Sequence, residues 1–400
     1  MTGTPITIAQ ANARIEELRR QPLPVNSEPE DLTLPVDPDI RVTSNGYWHR
    51  VELLVEEKAI SWLSINDYQQ RVGGQILRLG GIGGVSTDND HRFQGYSRRV
   101  MTNAFRWMRA NGFDVSQLYG ISSFYPKFGF APAFPGITAT MALRDAESVS
   151  PAVYRLAEFD RDQHLAGVLE LYQDNNARRT GTILRDAGWA ARHGQYWNTK
   201  ACWQVVLNRR GRLAGYVIYD SAYPAVTLLE VGFAAPAVFP DVLRFTAGLA
   251  LARRVERIGF VLPIDHEFIE FCKPLGITLE QRYRHDGGAI VRLIDAASAL
   301  RKLAPELGPR LRGKGALTLC TNLGDVSLSW SGKILTVEDG PAAGPSASLP
   351  QWALAQLIYG YRRPSALANE GVLTAPTRAL AALERLFPLQ AHFFYVVDEF

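Results

Sequence analysis

The sequence predicts an α/β chain built on mixed sheets: two successive strand–helix–strand segments, then a smaller α+β segment. Two observations predict this. Alternating apolar and polar runs recur from residue 48 onward, as they do in half-buried strands, and stretches with helical spacing of apolar residues separate them. The order strand, helix, strand then returns between residues 202 and 263, which hints at an internal duplication whose sequence signature has been lost.

Taken in order, residues 8–20 can form one short helix, whereas 21–39 are rich in proline and acids, a composition that buries little. Residues 1–46 therefore read as an extended arm that either drapes over another surface or stays mobile. Strand-like runs at 51–56 and 59–65 predict a hairpin turning through Glu57 and Lys58. Another strand begins at 75–79 and runs into Gly80 and on to Ser86. Over 97–109, Val100, Ala104, Phe105 and Met108 share one helical face, and Asn111-Gly112 closes that helix in the manner of a C-cap. These elements make a first domain at 47–147.

A second domain, 148–297, carries a helix at 162–175 and strands at 202–207, 213–219 and 226–233. A helix at 240–255 and a strand at 259–263 follow, and Gly287-Gly288 reads as a hairpin turn. The third domain, 298–400, has strands at 316–320, 325–330 and 333–337, a Gly/Pro/Ser-rich loop, and helices at 349–360 and 377–387.

Bulk composition narrows the function. The 400 residues are 46% apolar and 21% charged with a net charge of +3, too small a surplus to point to nucleic acid or to an acidic membrane surface. Three widely spaced cysteines, Cys202, Cys272 and Cys320, suit a reducing compartment and offer neither CxxC nor Cys/His ligand spacing, so no metal is expected. There is no signal-peptide pattern and no apolar run near the ~18 residues of a membrane span. The expectation is a cytoplasmic protein. His91 reads as a turn residue and Asp265-His266-Glu267 as a solvated helix start rather than a metal or acid/base cluster.

The decisive stretch is 80–100, a strand, a turn and a helix start with Arg92-x-x-Gly95-x-Ser97 at the junction. Small residues there let the backbone approach a phosphate, and the first-turn N–H groups and helix dipole favour an anion. Arg92 and Arg98 can add charge-assisted contacts. This stretch resembles motif A of the GNAT (Gcn5-related N-acetyltransferase) superfamily, Gln/Arg-x-x-Gly-x-Gly/Ala, departing only at Ser97. Downstream, Phe124-Tyr125-Pro-Lys-Phe-Gly129-Phe resembles the family's Phe-Tyr-x-x-Phe-Gly-Phe/Tyr element at the family's usual separation.

The resemblance implies acetyl-CoA as cosubstrate. Its pantetheine would pair with the strand at 82–87, including Val85, Ser86 and Thr87, and its phosphates would meet Arg92, Phe93, Gly95, Tyr96 and Ser97. A backbone N–H near Val85 would support the oxyanion, and Tyr125 would protonate the departing thiolate. Ser122 and Ser123 can cap the short helix that carries Tyr125. Many GNAT enzymes carry a Glu on the motif A strand as base; residues 78–85 hold none.

The whole plan after residue 48 is similar to the enhanced intracellular survival (Eis) acetyltransferases: two GNAT-like mixed-sheet domains, the second without motif A, then a sterol-carrier-like α+β domain. Arg179-Thr-Gly and the ending Val397-Asp-Glu-Phe400 belong to that likeness. It implies that the terminal carboxylate of Phe400 is the general base, that Glu399 helps to hold a cationic acceptor, and that the protein is a homo-oligomer, a hexamer in the family. The acceptor would be a primary amine: an aminoglycoside, a polyamine or a lysine side chain. The arm at 21–39 could complete the acceptor site, including in a neighbouring subunit. The rival reading is a non-catalytic acyl-CoA or lipid-binding protein.

Overall fold

The computed structural model describes residues 25–150, 153–186, 188–189, 201–220, 222 and 226–400; the helix expected at 8–20 lies outside them. The chain divides into two compact units. Unit 1 comprises the residues up to 134, 284–390 and Phe400; unit 2 comprises 135–283 and 391–399.

Unit 1 opens with an antiparallel meander: β1 (Ile40–Ser44), β2 (Trp48–Val55), β3 (Lys58–Val72) and β4 (Gln75–Thr87). β1 falls in the stretch read as arm. The β2–β3 turn sits on Glu56 and Glu57, one residue earlier than expected. Both have positive φ (49° and 64°), the twist that suits a two-residue hairpin. Helix α1 (Tyr96–Ala110) then crosses over, and β5 (Val115–Gly120) lies parallel to β4. The buried face of α1, Val100, Met101, Ala104, Phe105 and Met108, joins Ile65, Ile82 and Phe113 in one core. A two-residue strand, β6 (Ala131–Pro132), follows.

The chain then leaves this sheet. β7 (Gly136–Ala142), expected in the first domain, runs in the sheet of unit 2. That unit adds β8 (Arg155–Glu158), helix α2 (Arg161–Asn175), β9 (Ala201–Leu207), β10 (Leu213–Asp220), β11 (Thr227–Phe233), helix α3 (Phe239–Ala252), β12 (Arg257–Phe260) and β13 (Thr278–Arg282). The strand order is β13-β7-β12-β11-β10-β9-β8. Asp160 caps α2 by accepting from Gln163 N at 2.9 Å.

β14 (Gly288–Leu293) returns to the first sheet, between β5 and β6 and antiparallel to both. Gly287-Gly288 is therefore not a hairpin turn, because the strands on either side of it belong to different sheets. Alternation in sequence reveals a strand but not its partner. Each of the two expected segments thus lends one strand to the other's sheet.

The rest of unit 1 begins with α4 (Ala296–Leu307), capped by Asp295, a helix the sequence reading did not anticipate. β15 (Lys314–Thr321), β16 (Gly324–Ser331) and β17 (Ile334–Asp339) form an antiparallel sheet. β18 (Ser346–Ser348), in the expected loop, adds parallel to β15. Helices α5 (Gln351–Ile358) and α6 (Thr377–Leu386) follow.

The described part of the arm, residues 25–39, is a strap laid over unit 1. Its Glu30 N donates to Asn322 O and its Asn26 N to Pro126 O, both at 2.8 Å. Leu32 enters the core, and Asp37 and Asp39 grip Arg99 of α1 at 2.6 Å. Of the two expectations, draping describes these residues. No helix among the described residues is long and apolar enough to cross a membrane.

Candidate functional site

The site begins where two strands part. β4 pairs with β5 only from Leu79–Val115 to Gly81–Gln117. β4 then continues to Thr87 against β3, while β5 continues to Gly120 against β14. Among the described residues no strand pairs with the facing edge of β4 over residues 82–87. The parting has a local cause: the β3–β4 register slips between Trp62↔Ser86 and Ser64↔Gly83, so Gly84 and Val85 together oppose Leu63. Gly84 adopts φ +58°, which glycine tolerates, and a bulge of this kind bends and twists its strand. The open edge offers backbone N–H and C=O groups to an extended ligand carrying amides.

The end of the chain lies on that edge. A β-carbon built on Gly81 would fall 2.6–2.8 Å from the Phe400 ring, so only glycine admits the ring there. A β-carbon on Gly83 would lie 3.5 Å from the terminal carboxyl carbon and 3.6 Å from its oxygen. The ring also meets Tyr68 (centroids 5.5 Å apart) and Tyr119 (6.4 Å). Within unit 2, Asp398 is fully buried and accepts from Arg185 Nε and Nη2 and from Trp189 Nε1, each at 2.9 Å. Arg185 forks to Glu230 at 2.7 Å on both oxygens. Glu399, half-buried, follows directly in sequence.

Across the split, β5 ends at Gly120, and the short 3-10 helix Tyr125–Phe128 carries the tyrosine. The Tyr125 ring passes so close that a β-carbon on Gly120 would lie 2.8 Å from its Cδ2. It packs edge-on to Phe124 (4.9 Å, 86°) and Phe130 (6.3 Å, 81°), and burial pushes its phenol above the ordinary 10.0. The side chains of Ser122 and Ser123 do not cap this helix. Instead Ser123, at φ +63°, donates its backbone N–H to Asp286 Oδ2 at 2.7 Å.

The third component is the start of α1. Gly95 is its N-cap, no side chain caps it, and its first turn holds no acid, so the first-turn N–H groups and dipole present a positive end. Arg92, Phe93, Gly95 and Arg98 are exposed around it, Tyr96 and Ser97 half-buried; Phe93 is 71% exposed. Arg99 is already neutralised by Asp37 and Asp39. Val85, Ser86 and Thr87 are half-buried along the edge, with Ser61 Oγ donating to Ser86 O at 3.0 Å. This donor set fits an elongated amide-bearing molecule that ends in phosphates.

The tempting residues elsewhere resolve as structure. His91 ends a 3-10 turn, its ring 6.2 Å from Tyr96. His266 does start a helix, but as a buried cap rather than a solvated one. Its Nδ1 accepts from Phe268 N and its Nε2 bonds Val231 O, both at 3.0 Å, and burial brings its pKa down to about 4. Asp265 pairs with Arg179. Among the described residues no His/Cys/Asp/Glu group could hold a metal.

Residues 45–133 match the acetyltransferase (GNAT) domain family, and 318–395 match the sterol carrier protein domain family. This chain carries a GNAT acetyltransferase domain. The acyltransferase is similar in fold to an Enterococcus faecalis V583 protein described as a probable N-acyltransferase (16% identity, TM-score 0.75, 88% of this chain and 90% of that one). It is also similar to a GCN5-related N-acetyltransferase from Anabaena variabilis (18%, 0.70, 88% and 90%) and to Eis1 from Mycobacterium abscessus (16%, 0.66, 99% and 98%). At such identities the likeness is one of fold. No curated protein sequence matches the chain. The GNAT fold implies an acyl-CoA as cosubstrate.

Several residues that shape the site of this acyltransferase had no sequence signal. Asp286 and Arg292 lie far downstream, Glu30 sits in the Pro-rich strap, and Gln351 belongs to the sterol-carrier segment. The usable cue was the short apolar run Ala289-Ile290-Val291 behind two glycines, the pattern of a strand buried on both faces.

Proposed function

We propose that this acyltransferase moves the acetyl group of acetyl-CoA onto a primary amine by direct attack. Tyr125 acts as general acid and the terminal carboxylate of Phe400 as general base. The observation that carries the reading is the pair of close approaches flanking the strand split: Phe400 on Gly81 and Gly83 of β4, and Tyr125 on Gly120 of β5.

Acetyl-CoA supplies an activated thioester. The open edge at 82–87 would take its amides, the Val85 N–H would polarise its carbonyl, and Arg92, Phe93, Gly95, Tyr96 and Ser97 would receive its phosphate end. The Phe400 carboxylate takes a proton from the incoming ammonium; the freed amine forms the C–N bond, the C–S bond breaks as the Tyr125 phenol protonates sulfur, and nitrogen's second proton restores the phenol while the first leaves the carboxylate to solvent. Glu399, adjacent to that carboxylate in the chain, would hold a second positive charge of an aminoglycoside, polyamine or lysine-bearing acceptor. The three cysteines sit in β9, at the end of helix Glu267–Cys272 and in β15, none of them on β4 or β5, which supports direct attack over a thiol-bound intermediate. The reading includes a cytoplasmic location and a homo-oligomer.

The test is thiol release from acetyl-CoA across a panel of such amines. Wild type is compared with a chain lacking Phe400 and with Tyr125→Phe. Losses of about 10²-fold or more are expected from each change. Unchanged turnover in both variants overturns the assigned roles. Binding of CoA without transfer to any amine overturns the transferase reading in favour of a binding protein.

A further inference from the structure

The turn that carries Tyr125 lies inside the GNAT domain, yet its backbone is held from outside that domain. At its front, Asp286 accepts from Ser123 N at 2.7 Å. In its middle, Pro126 O accepts from Asn26 N of the strap at 2.8 Å. At its back, Arg292 Nη1 donates to Phe128 O and Gln351 Nε2 to Gly129 O, both at 2.6 Å. Arg292 and Gln351 are fully buried.

Gln351 opens helix α5 of the sterol-carrier segment, and its one side-chain amide makes two bonds. Its Oε1 accepts from Leu293 N at 2.7 Å while its Nε2 holds Gly129 O, so it ties the returning strand β14 to the turn. Its own backbone N–H donates to Asn322 Oδ1 at 2.7 Å. Arg292 is set in turn by Glu30 Oε2 at 3.1 Å and by the face of Phe105, 3.9 Å from its guanidinium carbon. A four-residue 3-10 turn has poor internal bonding, so outside partners such as these help to fix its place. Burying an amide and a guanidinium to bond two carbonyls of the turn and the Leu293 N–H specifies a position more sharply than apolar packing does.

We propose that Gln351, Arg292 and Asp286 are positioning residues for the Tyr125 phenol. On this view the sterol-carrier segment and the returning strand complete the transfer site. The inference rests on the reading of Tyr125 as general acid.

The experiment uses the full chain and combines Gln351→Met, which keeps length and apolar bulk, with Tyr125→Phe. Gln351→Met is expected to lower kcat about ten- to a hundred-fold, as misplacement of a reacting group by about 1 Å does. The KM for acetyl-CoA should stay within about two-fold. Amide exchange over residues 121–129 should quicken, and the double variant should be no slower than Tyr125→Phe alone. Asp286→Asn, at a half-buried loop position, is read the same way if Gln351→Met fails to fold. Losses that multiply in the double variant overturn the inference, as does unchanged kcat and exchange. If Tyr125→Phe itself costs nothing, the acid reading falls and takes the inference with it. If it costs rate and the other variants do not, the inference alone falls.

Discussion

The ring of Phe400, the last residue of the chain, lies against the bare α-carbon of Gly81, where a β-carbon would come within 2.6 Å of it. The missing side chain makes the seat for the ring. That seat brings the backbone carbonyl of Phe400 to Gly83, on the open edge of β4.

Gly81→Ala should therefore unseat the ring. Gly81 has ordinary extended backbone, so alanine strains nothing but this contact. Overpacking of this sort costs about 1–3 kcal/mol when neighbours must move. The expected outcome is a fall in turnover of about ten-fold or more with a folded protein, read by steady-state kinetics beside a thermal melt. Full turnover would show that the position of the ring does not matter to the reaction.

The second prediction concerns alkaline pH. Burial raises the Tyr125 phenol above 10.0, so the proton it must donate is retained to higher pH than on an exposed tyrosine. The alkaline limb of kcat/KM that depends on Tyr125 should fall above the ordinary tyrosine range and should be absent in Tyr125→Phe. A limb below that range in wild type, surviving in the variant, would assign it to another group.

Arg185 serves two buried carboxylates, Glu230 and Asp398, and burial pushes both of those carboxyls up. Arg185→Met should leave them without their counter-charge and cost about 3–5 kcal/mol of stability, as removing one partner of a buried ion pair does. Denaturant unfolding measures this; a change below about 1 kcal/mol would mean the carboxylates are protonated and satisfied by Tyr172, Trp189 and Tyr216.

Asp37 is held below its ordinary 3.8 chiefly by its hydrogen bond to Arg99. A carboxylate with a lowered folded pKa adds stability that is complete above the unfolded value and is lost as pH falls through the folded one. The gap in Tm between wild type and Asp37→Asn should thus be steady from about pH 7 to pH 5 and close towards about pH 3. A gap independent of pH would point to shape rather than charge.

Most of the candidate site was legible because its parts are local. Residues 80–97 announce a strand, a glycine-rich turn and a helix start, since spacing and small residues act over a single turn of chain. The Tyr125 element was legible through its resemblance to the GNAT family's Phe-Tyr-x-x-Phe-Gly element. The supports of that element were not, because Asp286, Arg292, Gln351 and Glu30 reach it from up to 222 residues away, as Gln351 reaches Gly129.

Periodicity and short-range spacing were enough to read the class of the fold and the strand, turn and helix start at 80–97. Only the tertiary structure decided which sheet receives β7 and β14, where β4 and β5 part, and that the final ring rests on Gly81. Alternation of side chains states which face of a strand is buried, and it is silent on which neighbour supplies the hydrogen bonds. Pairing and docking are settled by contacts between segments distant in the chain, and no window of sequence contains both sides of such a contact.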